Sequence, residues 1–523
     1  MADEQEERRE IEVYLDQHHL QEFIGDAVND IVQERPKDPL VKLADSLRSC
    51  SEASRQIQEL RGRQILNGEA LPALEVEILT GQGTVYGAVS SGPFDGDEEL
   101  YEGRGVLRAV ENTGNVLVEV LVGKDPTQQT KLDKLLAREP SLCANVVSAA
   151  SIACCKAGAK QTLVPVFDHI GTMCSNSEGA IPSTAFSIIN GGHLSASSLW
   201  VQDVLIVPTG DMVTLSDRLL LVSTVHRTLE AAARDAGQEK LQRGPRGGFC
   251  NGAGTFEQLM DCLMKSFETA ELLGRVEIVV DVHASKLVPP TNGDQAQVGE
   301  EERQLSYDLT TFCTDKTAVE LTTTQALLDI YLEWLEKYPI TAFIEPFAAA
   351  DVAMSKELLN QGHQALQAKA ARGTTDITGA ALGGEGQVND TGVPTENADG
   401  SGGEDNCRFR IIADSVSTPA QLAFVNEQRG ANAILINTAK ISTVSDCIAL
   451  AGRASELGWT IVVGSVSEEE MEGDFLVDLS VGLRAEQLLM GGLRSACTIS
   501  ACARLARIEE AGVQHVDGRA SMS

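Results

Sequence analysis

Ala342-Phe343-Ile344-Glu345-Pro346-Phe347 is the stretch on which the fold turns: a short apolar run that ends on an acidic residue. Similar runs occur at 186–189, 204–207, 277–280, 410–412, 433–436 and 460–463, with amphipathic stretches between them. Strands alternating with helices in this way from about residue 181 onward predict a parallel α/β barrel. In such a barrel the site lies at the C-terminal ends of the strands, where Glu345 falls.

Upstream the texture differs. Leu74-Glu75-Val76-Glu77-Ile78-Leu79 alternates as a strand, and Thr84-Val85-Tyr86-Gly87-Ala88-Val89, after Gly81 and Gly83, reads as its hairpin partner. Residues 128–138 and 143–158 read as helices. Residues 372–406, rich in Gly, Thr, Asp and Asn, carry almost no large apolar side chains and predict a disordered insertion between barrel units. Residues 11–48 read as two helices. Leu20, Phe23, Ile24, Ala27, Val28 and Ile31 stripe the first, Arg35-Pro36-Lys37-Asp38-Pro39 stops it, and Leu40, Leu43, Ala44 and Leu47 mark the second. A pair this small cannot bury its stripe alone, so it is expected to dimerise or dock.

The chain has 523 residues, enough for two or three domains with large cores, and it is 43% hydrophobic and 23% charged, as soluble proteins are. A net charge of −34 argues against nucleic acid and anionic membranes as partners. No run of 18 apolar residues occurs, and the charged start MADEQEERREIE lacks a secretory signal, so a cytoplasmic location without membrane insertion is expected. The twelve cysteines include no C-x-x-C pair and read as reduced core fillers.

Several passages together resemble the enolase family. Arg63-Gln64-Ile65-Leu66 and Leu74-Glu75-Val76 resemble its first strands, and Ala185-Phe186-Ser187-Ile188-Ile189-Asn190-Gly191-Gly192 resembles its first barrel strand. Gly247-Gly248-Phe249, Ile344-Glu345-Pro346-Phe347, Ile412-Ala413-Asp414, Val481-Gly482-Leu483 and Arg507-Ile508-Glu509-Glu510 follow in the family's order. The resemblance implies an enolase-type (β/α)8 barrel at 179–523, with an N-terminal α+β capping domain at 60–178. The turn Arg35-Pro36-Lys37-Asp38-Pro39, with Tyr14-Leu15, His18 and Leu20, resembles the docking-and-dimerisation module of cyclic-AMP-dependent kinase regulatory subunits and their flagellar relatives. That resemblance implies a helical dimerisation hairpin at 1–50 whose residues 11–48 take an amphipathic partner helix.

Enolase chemistry needs a lysine to take the proton beside a carboxylate, two magnesium ions to absorb charge, and a glutamate to help the hydroxyl leave. Carried over position by position, the family's metal carboxylates fall on Asp281, Glu345 and Asp414, implying one Mg2+ site, although basic side chains could neutralise the triad instead. The base lysine becomes Asn437, and Lys440, three residues on, is expected to point elsewhere. The acid glutamate becomes Arg246, the second lysine Leu489, the loop histidine Leu194, and the phosphate-gripping pair Val466 and Ser467. Ser91 and Asp203 remain as substrate-pocket remnants. Arg246 could hold an anion, but an internal ion pair with Asp203 and the triad is favoured. His283, two residues after Asp281, is the one alternative base.

The expectation is therefore a pseudoenzyme with a structural or scaffolding role, resembling the sperm and flagellar enolase-like branch and located in a cilium or flagellum axoneme, with homodimerisation from the hairpin or from the enolase-like body. Two alternatives stand beside it: an active phosphopyruvate hydratase of glycolysis, and a metal- or anion-binding sensor.

Overall fold

The computed structural model describes residues 11–50 except 12 and 16, 55–67, 71–90, 105–176, 178–192, 195, 197–209, 214–235, 242–244, 246–250, 255–289, 305–312, 321–379, 409–464 and 473–516. They form two compact units. One takes the described residues up to 177 together with 438–448 and 473–478, and the other takes the remainder.

The first unit opens with helices α1 (Leu20–Glu34) and α2 (Pro39–Cys50). Arg35 turns the chain at φ 50°, its amide donating to the Ile31 carbonyl. Asp38 Oδ1 then accepts the amides of Leu40 and Val41 at 3.2 Å, and so caps α2, whose first residue is Pro39. The expected proline break is thus a capped turn, pinned by Lys42 and Glu34 at 3.0 Å. Of the apolar stripe on α1 only Ala27 is buried, while Val32 and Leu40 are 64% and 75% exposed.

A meander follows: β1 (Glu59–Leu66), β2 (Pro72–Thr80) and β3 (Gly83–Ser90), all antiparallel. The alternation read in β2 puts Leu74, Val76 and Ile78 into the core. The helices Gln129–Arg138 and Ala144–Gln161 stand where the sequence placed them. Helix Ala144–Gln161, built of small residues, lies so close to β3 that a Cβ on Gly87 would come within 2.2 Å of the Ala149 carbonyl oxygen.

In the second unit eight strands close a barrel: β4 (Ser183–Asn190), β5 (Asp203–Pro208), β6 (Val276–Asp281), β7 (Ile340–Ile344), β8 (Arg410–Ala413), β9 (Ala433–Ile436), β10 (Thr460–Gly464) and β11 (Gln487–Met490), with β11 paired back to β4. The seven apolar runs are seven of these strands, and β11 is the eighth. The barrel is not wholly parallel, as the runs alone predicted. Strand β5 runs antiparallel to both β4 and β6. The connection 191–202 is only about a dozen residues long, and the chain returns through it as an antiparallel pair. Ala185, Leu205, Val279, Ile344, Ile412, Leu435, Val462 and Leu489 fill the interior. The helix Val352–Gly379 carries regular backbone through the first eight residues of the segment expected as a disordered insertion, and 380–406 lie outside the described residues. Among the described residues no helix is long and apolar enough to cross a membrane.

Candidate active site

Because β5 runs backwards, its first residue, Asp203, meets the last residue of β6, Asp281, as a register partner. Asp203 is buried and fully engaged. Ser187 Oγ donates to Oδ1 at 2.7 Å, Asn190 Nδ2 to the same oxygen at 3.1 Å, and Arg246 Nη1 to Oδ2 at 2.5 Å. Burial pushes this carboxyl up, against the opposite pull of Arg246, Ser187 and Asn190. With a guanidinium and two further donors on it, we read it as ionised. Arg246 reaches it from the turn joining the short strands Gln242–Arg243 and Phe249–Cys250, the second of which pairs with β4 through Ile189. Gly247 makes that turn possible: it holds φ 80°, and a Cβ there would meet Ser495 N at 2.6 Å.

Next to this pair stands an acidic group of different character. Asp281 is fully buried, and neither of its carboxylate oxygens has a hydrogen-bond partner among the described residues. Burial, then repulsion from Asp414, Asp203 and Glu345, pushes its carboxyl well above the usual carboxylate range, with Arg246 pulling the other way. Glu345 directly follows β7 and Asp414 follows β8, and each is buried. Donor atoms of His283, Glu345 and Asp414 all lie within 4.8 Å of one another, and His283 Nδ1 is 3.4 Å from Glu345 Oε2. Ser285 Oγ donates to the same glutamate oxygen at 3.5 Å. The expected triad was Asp281, Glu345 and Asp414. The structure brings its last two members together with His283 and sets Asp281 beside them. A buried carboxylate with empty lone pairs, next to two more carboxylates and an imidazole, is a donor set that suits a divalent cation.

The remaining positions are apolar or amide. Asn437 follows β9, buried, with Nδ2 3.5 Å from Asp414 Oδ1. Leu489 is part of the apolar barrel interior. Lys440 is exposed, lies beyond the end of β9 and falls in the first unit. Ser91, Leu194, Val466 and Ser467 lie outside the described residues. Ser187 and Asn190, which hold Asp203, were not singled out as functional. The signal was present in part, since Ser187 interrupts the apolar run 185–189 and Asn190 ends it.

Residues 57–170 match the family model described as enolase, N-terminal domain, and residues 178–370 and 404–519 match enolase, C-terminal TIM barrel domain. The chain belongs to the enolase family. Its similar proteins include the enolase of Eimeria tenella, 28% identical over 481 residues, covering 87% of this chain and 95% of that one. Enolase 1 of Entamoeba histolytica is 26% identical over 476 residues (87% and 96%), and cytosolic enolase 3 of Arabidopsis thaliana is 24% identical over 492 residues (90% of each). Residues 371–403, between the two barrel matches, fall where an insertion was expected. The reversed β5 and the acidic mouth both lie within this enolase-family barrel.

Proposed function

We propose that this enolase-family chain has lost dehydration of 2-phosphoglycerate and serves as a structural body on a dimerising tether. One observation supports this above all. Among the described residues, the cation that acts on Asp281 is Arg246, and it is paired with Asp203. Taking a proton from carbon beside a carboxylate requires a strong, positioned base. The Asn437 amide has no basic lone pair, Leu489 has no polar atom, and Arg246 stays protonated. A general base alone contributes roughly 10²–10⁴-fold, so losing base, second lysine and acid together leaves negligible turnover. Members of the family use Mg2+, and a divalent cation held by Asp281, Glu345 and Asp414 would supply charge neutralisation at the mouth.

The unpartnered oxygens of Asp281 favour a second reading, in which the pocket holds a cation without turning anything over and senses it. For the tether, the open stripe on α1 and α2 supports self-association or capture of an amphipathic helix. Homodimers, usual among enolases, give the body a second means of pairing. The resemblance of the hairpin to flagellar docking modules supports an axonemal location.

The decisive experiment is a direct assay of 2-phosphoglycerate dehydration with excess MgCl2, for which no turnover above background is expected. Normal turnover would falsify the pseudoenzyme reading. A pull-down from isolated axonemes tests the location, and failure to recover the chain removes it.

A further inference from the structure

The cation site proposed above carries a donor that magnesium does not favour. Mg2+ is hard, takes oxygen ligands and holds its waters, whereas imidazole nitrogen suits zinc, cobalt, nickel and copper. Among the described residues, the three side chains whose donor atoms converge within 4.8 Å here are one histidine and two carboxylates: His283, Glu345 and Asp414. His283 Nδ1 and Glu345 Oε2 are 3.4 Å apart, longer than a good N–H···O hydrogen bond. Two ligands at about 2.0–2.1 Å from one tetrahedral ion stand about 3.3–3.4 Å apart.

The main chain holds the ring in place. The amides on either side of His283, those of Val282 and Ala284, donate to the carbonyls of Ile344 and Glu345, each at 3.0 Å. His283 is therefore tied to the strand that carries Glu345. Both residues take left-handed backbone, at φ 51° and 42°, a conformation that costs a non-glycine residue energy. An independent observation points to the same ligand class. Asp281, two residues earlier and fully buried, has both carboxylate oxygens unpartnered next to this cluster.

We propose that the barrel mouth is a histidine-bearing site that selects a nitrogen-accepting divalent ion, Zn2+ or Co2+, over Mg2+, with His283, Glu345 and Asp414 as ligands. This rests on the reading that the acidic mouth holds a cation at all, and the test separates the two.

The full-length chain, stripped with EDTA, is titrated calorimetrically with ZnCl2, CoCl2 and MgCl2, alongside His283→Asn and Asp414→Asn. Asparagine tolerates left-handed backbone, so the first variant removes the imidazole with little strain on the turn. Wild type is expected to bind Zn2+ and Co2+ at least about tenfold more tightly than Mg2+. His283→Asn is expected to weaken Zn2+ and Co2+ by roughly tenfold or more, with Mg2+ nearly unchanged, and Asp414→Asn to weaken all three. If His283→Asn does not fold, the cobalt-loaded wild type answers the same question, since a ligating imidazole shows hyperfine-shifted ring-proton resonances. Three results would overturn the proposal. Zn2+ affinity untouched by His283→Asn, with Mg2+ still bound at Asp414, removes the histidine and leaves the cation site standing. Tight Zn2+ binding indifferent to Asp414→Asn places the ion elsewhere, on cysteine. Binding of no ion at all removes both the proposal and the reading beneath it.

Discussion

The Arg246 guanidinium meets the Asp203 carboxylate at 2.5 Å, with the two side chains 3% and 0% exposed. Such a pair is tolerated because Ser187 and Asn190 occupy the carboxylate's remaining capacity. Removing one partner leaves the other charge buried and uncompensated.

Arg246→Ala is therefore expected to cost about 3–5 kcal/mol in urea denaturation, whereas the double substitution with Asp203→Ala should recover most of that loss. A single-variant loss under about 1 kcal/mol would mean that the pair is not sealed from water.

Asp281 has the opposite problem, since nothing donates to it. In EDTA, Asp281→Asn is expected to melt no lower than wild type, because it removes one of several repelling carboxyls. Adding a divalent ion at a hundred times its Kd should stabilise wild type by about 2.7 kcal/mol and the variant by less. Scanning calorimetry reads both, and a large loss in EDTA would refute the account.

His226 sets an acid limit on stability. It is buried against Phe249, with ring centroids 5.0 Å apart, and neither ring nitrogen has a partner. Burial, then the nearby Arg494, lowers its pKa from 6.5 to about 4, while Glu230 opposes the shift. The folded state then binds the proton less readily than the unfolded chain. This contribution is full above about 6.5 and is lost as the pH falls towards 4, up to about 3 kcal/mol. Urea midpoints across that range should show the slope, and His226→Leu should flatten it.

Gly87→Ala tests the close approach of β3 to helix Ala144–Gln161. Its Cβ would stand 2.2 Å from Ala149 O and 2.7 Å from Ala153 N, both main-chain atoms that cannot swing aside. A loss of about 2–3 kcal/mol is expected from overpacking, measured by denaturant midpoint.

On the helical pair, Val32→Glu with Leu40→Glu should shift sedimenting species towards monomer. These are exposed positions, so the unfolding free energy of the rest should stay within about 0.5 kcal/mol of wild type. An unchanged sedimentation profile would assign dimerisation to the enolase body.

Much of this was legible in the sequence, for definite reasons. Runs such as Ala433-Ile434-Leu435-Ile436 read as barrel strands because a doubly buried strand suits such continuous apolarity, and Arg35-Pro36-Lys37-Asp38-Pro39 marked the break between α1 and α2. The reversal of β5 was hidden, because an apolar run reads the same in either direction. The Arg246–Asp203 pair was legible through the resemblance to the enolase family, which implied that these opposite charges share one pocket. The distinction between Asp281, with its empty lone pairs, and Asp203, fully bonded, lies in hydrogen bonds made by Ser187 and Asn190, which no charge pattern reveals. The left-handed turns at His283 and Glu345 carry no glycine to announce them.

The one backward strand has a consequence for how this mouth can be altered. Side chains reach it both from strands that are ending, as with Asp281, and from one that is beginning at Asp203. A one-residue slip of β5 against its neighbours would turn its side chains to the opposite face and carry Asp203, the one acid on that strand, out of the mouth. Arg246 would then lose the carboxylate it neutralises and stand as a counter-charge for the remaining acids. The charge balance of the mouth is thus set by the register of a single strand.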